Sequence, residues 1–294
     1  MKQLLILSGK GGTGKTTIAS AFIRFSDPEA FADCDVDAPN LHLVTQQGSV
    51  SNKKNYYGLP RAKIDVTKCI KCDICRQNCR FDAILLDGTY KVDTFACEGC
   101  GVCEVLCPAN AITSKPAVDG ELLLYEKDKN IFSTAQLKMG SGTSGLLVTE
   151  VKKQMKEAKP DAGFAIIDGS PGIGCPVIAS LSGVDMVLIV AEPSLSGISD
   201  MKRIMETAQK FGIKTAVCVN KFDINIENTE KIEEFCIKEK VAFVGMIPFD
   251  KNALKAVNKG MTIADVDCAA GKAAKEVFEE TAKRLFEKGD ETQW

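Results

Sequence analysis

The sequence predicts an α/β protein in which a mostly parallel, doubly wound sheet carries an inserted small α+β domain. A glycine-rich loop joins an apolar strand to a helix within residues 4–25. Apolar runs alternate with helical segments from residue 164 onward, and a duplicated cysteine pattern interrupts the chain between residues 61 and 116. Alternating strand and helix signals favour a parallel sheet with helices on both faces, because each helix must return the chain to the same edge.

The loop that begins at Gly9 matches the phosphate-binding pattern G-x-x-x-x-G-K-[ST] in its expected strand-loop-helix setting. Its backbone N–H groups and the positive end of the following helix suit phosphate oxygens. Lys15 is expected to reach the β- and γ-phosphates, and the Thr16 hydroxyl to bind Mg²⁺, because a hard cation prefers oxygen. The alternative is a glycine-rich turn without a ligand. The predicted nucleotide contacts in this loop are Gly11, Gly12, Thr13, Gly14, Lys15, Thr16 and Thr17.

Composition narrows the class of protein. The 294 residues are 45% apolar with a net charge of −2, as expected for a globular protein with a core and no bulk attraction to nucleic acid or membrane. No export signal or membrane-spanning run is evident, so a cytoplasmic protein is expected. Thirteen cysteines are too many for a reducing compartment unless many of them bind metal.

Carboxylates follow two predicted strands. Asp33, Asp35 and Asp37 alternate after a short apolar run, and Asp168 ends the apolar run 164–167. Clustered carboxylates repel one another unless a cation or polar ligand shares them. Asp168 is a single carboxylate at the end of an apolar strand, and it is expected to hold Mg²⁺ through water. The first cluster, taken alone, is equally consistent with an acidic turn.

The cysteine pattern is an internal duplication. C-x2-C-x2-C-x3-C occurs twice with an offset of 28 residues, and the Ala83-Ile84 pair recurs as Ala111-Ile112. This spacing resembles that of bacterial ferredoxins with two four-iron, four-sulfur clusters, in which the fourth cysteine of each run binds the other cluster. Structural zinc is the competing interpretation, and Arg80 replaces the proline expected after the first run. The resemblance implies cluster I on Cys69, Cys72, Cys75 and Cys107, and cluster II on Cys97, Cys100, Cys103 and Cys79.

These features divide the chain into a first ATPase segment (1–50), an inserted ferredoxin domain (61–116) and a second ATPase segment (117–294). Residues 46–60 are polar and are predicted to be a linker. The glycine-serine segment 140–145 is interpreted as a surface turn, with a moving element as the alternative. Cys175 and the cysteines without ligand spacing are expected to be buried thiols.

Residues 10–17, K-G-G-T-G-K-T-T, resemble the deviant phosphate loop of the MinD/ParA/Mrp superfamily, which includes the nitrogenase iron protein. The resemblance implies an ATP-dependent homodimer in which Lys10 reaches the partner's nucleotide. It further implies that Asp35 orients the attacking water and that Asp33 supports Mg²⁺. The segment 169–176 is similar to switch II of this superfamily, the loop that senses the γ-phosphate.

The same resemblance assigns the base-binding residues. Asn220 is expected to contact adenine, with Pro248 and Phe249 packing on the base. Residues 220–223 also match N-K-x-D, the guanine signature of GTPases, so GTP remains an alternative to ATP.

The combined pattern predicts a Mg²⁺-dependent ATPase that binds ATP or ADP and carries two [4Fe-4S] clusters. Lys10, Lys15 and Asp35 are its expected catalytic residues. We expect nucleotide state to be coupled to electron transfer with an unidentified redox or metalloprotein partner. One alternative is an assembly or carrier ATPase for iron-sulfur clusters or metal centres. A second is a positioning ATPase with redox-sensing clusters.

Overall fold

The computed structural model describes residues 1–45 and 50–287. Its strands, in chain order, are β1 (Lys2–Leu7), β2 (Ala30–Asp33), β3 (Val50–Tyr57), β4 (Arg61–Ile64), β5 (Ile84–Asp87), β6 (Thr89–Val92), β7 (Ile112–Lys115), β8 (Val118–Lys127), β9 (Asn130–Leu137), β10 (Phe164–Asp168), β11 (Met186–Ala191), β12 (Lys214–Asn220) and β13 (Ala242–Ile247).

The α-helices are α1 (Lys15–Ser26), α2 (Ile74–Gln77), α3 (Val102–Val105), α4 (Ser144–Ala158), α5 (Cys175–Leu181), α6 (Leu195–Lys210), α7 (Ile226–Lys238), α8 (Lys251–Val257) and α9 (Ala269–Phe286). Along the described ranges, no helix combines the length and the apolar character needed to cross a bilayer.

The large sheet has the strand order β13-β12-β11-β1-β10-β2-β9-β8-β3. Every neighbouring pair from β13 to β9 is parallel, whereas β8 and β3 add an antiparallel edge. This arrangement confirms the predicted mostly parallel α/β sheet. The carboxyl ends of β1, β2 and β10 lie side by side at one edge, where ligands bind in open α/β sheets.

Two apolar layers cover the sheet, one on each face. Alternate residues of β1 enter different layers: Leu5 and Leu7 pack with α4, α5 and α6, while Leu4 and Ile6 pack with α1 and α9. Residues that alternate along a strand point to opposite faces. The central strands are therefore apolar throughout because helices cover both of their faces.

The predicted linker is wrong over most of its length. Residues 50–57 form strand β3, which pairs with β8 from Val50 opposite Tyr125 to Tyr57 opposite Val118. Residues 46–49 of that prediction lie outside the described residues. The polar side chains of β3 are compatible with a strand because it lies at the sheet edge. The small domain between residues 58 and 117 thus emerges from a pair of hydrogen-bonded strands.

The small domain is built from two halves related by the 28-residue repeat. β4, α2 and β5 of the first half recur as β6, α3 and β7 of the second. The halves interlock, because β4 pairs with β7 and β5 pairs with β6. Left-handed backbone positions repeat with the same offset, as the pairs Lys71 and Gly99, Asp73 and Gly101, and Asp82 and Asn110.

Candidate functional site

The phosphate loop lies between β1 and α1, at the carboxyl edge of the sheet. Gly14 ends the loop with φ of 90°, and a Cβ there would lie 2.2 Å from Asn220 Nδ2. Only glycine satisfies both the left-handed backbone and this close approach. The Asn220 amide in turn donates to the Thr13 carbonyl at 2.7 Å. The end of β12 therefore fixes the phosphate loop through the Asn220 side chain.

Lys15, Thr16 and Asp168 form the polar centre of the site. Lys15 Nζ donates to Asp168 Oδ1, and Thr16 Oγ1 donates to Asp168 Oδ2 at 2.7 Å. Lys15 is 5% exposed, and Asp168 is fully buried at the end of β10. The hydroxyl and carboxylate oxygens are hard ligands of the kind Mg²⁺ prefers. The sequence-predicted Mg²⁺ residues Thr16 and Asp168 are thus adjacent.

Asp33 lies at the end of β2 beside this centre. Its Oδ1 accepts from Asp35 N, and its Oδ2 accepts from Asn40 N and Leu41 N, each at 3.0 Å. Burial, reinforced by the Asp168 charge, raises the pKa of Asp33 to about 7. Burial also raises the pKa of Asp35. Asp33 therefore fixes the backbone of residues 35–41. Asp35 lines the same cavity as the phosphate loop.

A cavity of about 340 Å³ joins the phosphate loop to the predicted base-binding segment. Pro248, Phe249 and Asn220 line it together with Lys15. The Asp223 carboxylate accepts from Phe249 N at 2.7 Å. The acidic residue of the N-K-x-D match therefore anchors the cavity wall, which favours a structural role over guanine recognition.

Lys10 contacts its own chain. Its ammonium lies 3.0 Å from Glu192 Oε2 and donates to Ser194 Oγ at 3.1 Å and to Ser196 Oγ at 3.2 Å. Its side chain is 36% exposed. Sequence reasoning missed Lys221, which donates to the Gly12 carbonyl at 2.8 Å; its place beside Asn220 was the available signal.

The cysteines of the small domain line two separate cavities. One is lined by Cys69, Cys72, Cys75 and Cys107, and the other by Cys79, Cys97, Cys100 and Cys103. Each cavity therefore receives three cysteines from one repeat and the fourth from the other repeat. The grouping follows from the interlocked strands, which bring the end of each repeat beside the start of the other.

The donor chemistry of these cavities suits iron-sulfur clusters. Ala83 N donates to Cys79 Sγ at 3.4 Å and Ala111 N to Cys107 Sγ at 3.2 Å, at repeat-related positions. Apolar Ile84 and Ile112 pack beside the cysteines. In the described part of the chain, no three His, Cys, Asp or Glu side chains converge on one metal ion. A four-iron cluster binds each cysteine to a different iron, so its ligands need not converge in that way.

A buried ion pair fastens the small domain to the large one. Arg61 Nη2 lies 3.3 Å from Asp119 Oδ2, and their side chains are 13% and 6% exposed. Arg61 also donates to the Leu59 and Thr94 carbonyls, at 3.0 and 3.2 Å. Sequence reasoning missed both charged residues, since neither belongs to a motif.

Helix α4 packs against α5, which follows the loop 169–174. A Cβ on Gly145 in its first turn would lie 3.2 Å from Cys175 Cβ, where α5 begins. Lys152 of α4 donates to the Ser180 and Ser182 carbonyls, at 2.6 and 2.5 Å, at the end of α5.

The loop before α4 lies against the cysteine loop of the second repeat. Cβ atoms on Gly140 and Gly142 would lie 3.5 Å from Phe95 Cδ1 and 3.3 Å from Glu98 Oε2. The segment 140–145 is therefore a contact between domains and not an isolated surface turn.

The five cysteines outside the repeats divide into two groups. Cys175 is exposed, contrary to expectation, because α5 presents its first residue at the surface. The remaining four are buried as predicted: Cys34, Cys218, Cys236 and Cys268. Burial raises the pKa of the Cys34 thiol to about 12, so that group is an inert part of the core.

Comparison with known proteins places the nucleotide site in a family. The family model described as "CobQ/CobB/MinD/ParA nucleotide binding domain" matches residues 4–263. MinD complexed with Mg-ADP from Pyrococcus horikoshii has a similar fold, with a TM-score of 0.59, 17% identity and 97% coverage of each chain.

Three relatives of different description match the whole chain or part of it. An uncharacterised protein of Methanocaldococcus jannaschii is 31% identical, covering 94% of this chain and 95% of its own. An iron-sulfur cluster carrier protein of Pyrococcus abyssi is 26% identical, over 98% and 88% of the two chains. The pyruvate synthase subunit PorD of M. jannaschii shares 40% identity over 67 residues, which are 22% of this chain and 78% of PorD.

Proposed function

Because this chain belongs to the CobQ/CobB/MinD/ParA nucleotide-binding family, we propose that it is a Mg²⁺-dependent ATPase whose nucleotide state controls electron transfer through two [4Fe-4S] clusters. The family and the ATPase fold rest on the comparisons. The clusters, the ATP-dependent homodimer and the redox partner are our proposal. The observation that carries it is a series of close approaches that runs from residues 169–176, along α4, to the cysteine loop of the second repeat.

Hydrolysis in this site depends on position and charge. Lys15 binds the β- and γ-phosphates once the nucleotide draws its ammonium from Asp168. Mg²⁺, held by Thr16 and through water by Asp168, would supply positive charge to the phosphate oxygens. Asp35 orients the attacking water, and Asp33 keeps the Asp35 backbone in place through its hydrogen bond at 3.0 Å. Such positioning accounts for most of the catalysis in phosphoryl transfer.

Lys10 acts in the partner's site within the proposed dimer. In the single chain its ammonium is held by Glu192, Ser194 and Ser196. The side chains of Lys10 and Glu192 are 36% and 23% exposed, so solvent weakens their ion pair and releasing Lys10 costs little. A cation added to a phosphoryl-transfer site stabilises the charge that develops there. Dimer formation would therefore complete the catalytic site.

The small domain holds the clusters through four thiolates each. Cys69, Cys72, Cys75 and Cys107 would bind cluster I; Cys97, Cys100, Cys103 and Cys79 would bind cluster II. When bound, the clusters supply sites that accept and release single electrons. The chain contributes the thiolates and the backbone N–H groups of Ala83 and Ala111, which donate to sulfur and stabilise its negative charge.

Contacts along α4 provide the coupling. A change at residues 169–175 on γ-phosphate loss would move Cys175, which lies beside Gly145 at the start of α4. Lys152 ties the other end of α5 to the same helix. The loop before α4 passes close to Glu98, which lies between the proposed cluster ligands Cys97 and Cys100. A shift of α4 therefore changes the surroundings of cluster II before those of cluster I.

Anaerobic kinetics test the coupling. The reduced protein is mixed with a low-potential electron acceptor in the presence of Mg-ATP, Mg-ADP or no nucleotide, and cluster oxidation is followed by visible absorbance. We expect the rate to differ between the three conditions. In the Lys15→Ala variant, which lacks the phosphate-binding ammonium, the difference should vanish. Equal rates in all three conditions for the unmodified protein contradict the proposed coupling.

Iron analysis tests the cysteine assignment separately. Cys107→Ser is expected to lower the iron content from about eight to about four per chain, because it removes one ligand from one cluster only. Cys175→Ser is the matched control and should retain about eight iron atoms. Zinc in place of iron in the unmodified protein would refute the ferredoxin interpretation.

A further inference from the structure

A groove of about 590 Å³ runs along the junction between the small domain and the large sheet. One wall is formed by β4, β6 and the end of β7. The other wall is the segment 138–141, which follows β9 and precedes α4. The groove is distinct from the nucleotide cavity and from both cysteine cavities.

The groove is cationic with an apolar part. Lys63, Lys91, Lys115 and Lys138 line it, all of them exposed. Lys91 pairs with Asp87 at 3.6 Å; over residues 1–45 and 50–287, no carboxylate comes within ion-pair distance of the other three. The carboxylate that lines the groove, Asp119, is engaged by Arg61.

The apolar part consists of two large exposed side chains. Phe95 is 77% exposed and Met139 is 95% exposed, and both line the groove. Aromatic and methionine side chains are enriched in protein-protein interfaces. Their position between lysines matches an interface with an apolar centre and a charged rim.

The floor of the groove is also the wall of both cysteine cavities. Ala62 and Val92 line the groove and the Cys97 cavity, whereas Ile64 and Tyr90 line the groove and the Cys69 cavity. A protein in the groove would therefore be separated from either cluster site by one layer of strand. The nucleotide cavity, by contrast, borders neither cysteine group.

From this geometry we propose that the junction groove is the docking site for an acidic single-electron carrier protein. Four lysines in one groove attract a negatively charged surface and speed its approach. The shared floor gives the docked protein access to both clusters. This inference rests on the proposed electron-transfer function and adds the charge of the partner and the place where it binds.

The site also explains how nucleotide state reaches the partner. Segment 138–141 lies beside Phe95 at Gly140, and the chain continues from it into α4. A movement of α4 therefore changes the width of the groove as well as the cluster II loop. The same displacement would therefore change the contacts of the docked protein with the groove.

Binding of a strongly acidic flavodoxin, as the probe, tests the proposal. Isothermal titration calorimetry is performed anaerobically on the iron-loaded full chain in Mg-ADP alone, at about 20 mM and about 300 mM salt. Screening at the higher salt should weaken binding at least tenfold, because the Debye length falls severalfold. Binding without salt dependence overturns the proposal.

Charge-reversal variants locate the site. Lys91→Glu with Lys138→Glu is compared with Lys210→Glu and Lys238→Glu, an exposed pair on α6 and α7 that changes net charge equally. The groove variant should bind the probe at least tenfold more weakly at low salt, and the control within twofold of the unmodified protein. Equal weakening in both variants shows a general charge effect and overturns the proposal.

Cross-linking of the unmodified protein is independent of variant folding. Carbodiimide joins lysine amines to probe carboxylates, and peptides are identified by mass spectrometry. Cross-links concentrated at the four groove lysines support the proposal, and cross-links concentrated elsewhere overturn it. Both tests use one nucleotide state, so a failure of nucleotide coupling leaves the docking result unchanged, and a failure of docking leaves the coupling result unchanged.

Discussion

Replacing Lys152 by methionine tests the clamp between α4 and α5. Methionine keeps the length and apolar stem of the side chain but removes the ammonium. Two short hydrogen bonds to the Ser180 and Ser182 carbonyls are lost. Hydrogen bonds from a charged donor contribute about 1.5–3 kcal/mol each, or about 3–6 kcal/mol for the pair.

Removing the buried charge of Lys152 offsets part of this loss of hydrogen-bond energy. Burial lowers the pKa of Lys152 from 10.5 to about 8. At about 1.4 kcal/mol per pH unit, the folded state disfavours the charged amine by about 3 kcal/mol. The difference is about 0–3 kcal/mol, so Lys152→Met is expected to lower the free energy of unfolding by about 1.5 kcal/mol, the middle of this range, at pH 7.

The pH dependence gives a sharper test. Between pH 8 and 10.5 the unfolded chain holds the Lys152 proton more tightly than the folded chain does, so stability rises with pH in this window. By pH 10 the free energy of unfolding of the unmodified protein rises by about 2.5 kcal/mol, and that of the variant lacks this increase. The deficit of the variant should therefore widen to about 4 kcal/mol.

Urea unfolding of both proteins, followed by circular dichroism at pH 7 and pH 10 under reducing conditions, measures this deficit. Lys153→Met is the control: its side chain is exposed on the same helix, and its effect should stay within about 0.5 kcal/mol at both values. A deficit for Lys152→Met that is the same at pH 7 and pH 10 would refute the assigned burial of charge.

Two further substitutions probe the small domain and its attachment. Gly99→Ala places a Cβ 2.3 Å from the Pro60 carbonyl oxygen at φ of 67°, whereas Gly101→Ala meets nothing within 4 Å at φ of 75°. Both variants place an alanine in the left-handed backbone region, so this strain is common to them. The additional clash should make Gly99→Ala less stable than Gly101→Ala by about 1–3 kcal/mol, measured by thermal loss of visible absorbance. Arg61→Met leaves the Asp119 carboxylate buried without its partner and should cost about 3–5 kcal/mol. Adding Asp119→Asn should restore part of this loss, and limited proteolysis at the domain junction would report both changes.

Much of the fold was predictable because its signals are local. The strand, glycine loop and helix at residues 4–25 each follow from composition and spacing, and the structure places β1 and α1 there. The repeat offset of 28 residues predicted related halves, and β4, α2 and β5 recur in the second half. The apolar runs that end at residues 168 and 190 lie in β10 and β11.

The remainder depends on contacts between distant residues. The polar sequence of β3 carries no strand signal of its own, and its conformation depends on β8, more than 60 residues away. Lys152 belongs to an amphipathic segment that ends in two lysines, and only the carbonyls at the end of α5 explain why the first is buried and the second exposed. No pattern in the sequence indicated the pairing of Arg61 with Asp119.

The crossing of the two repeats has a consequence for biosynthesis. Since the Cys69 group needs Cys107 from the second half and the Cys97 group needs Cys79 from the first, a nascent chain that ends before residue 103 holds neither complete set. The strand that precedes this domain must likewise wait for Val118–Lys127 before it joins the sheet. Iron loading and closure of the sheet margin should therefore occur late, and nearly together, as the polypeptide leaves the ribosome.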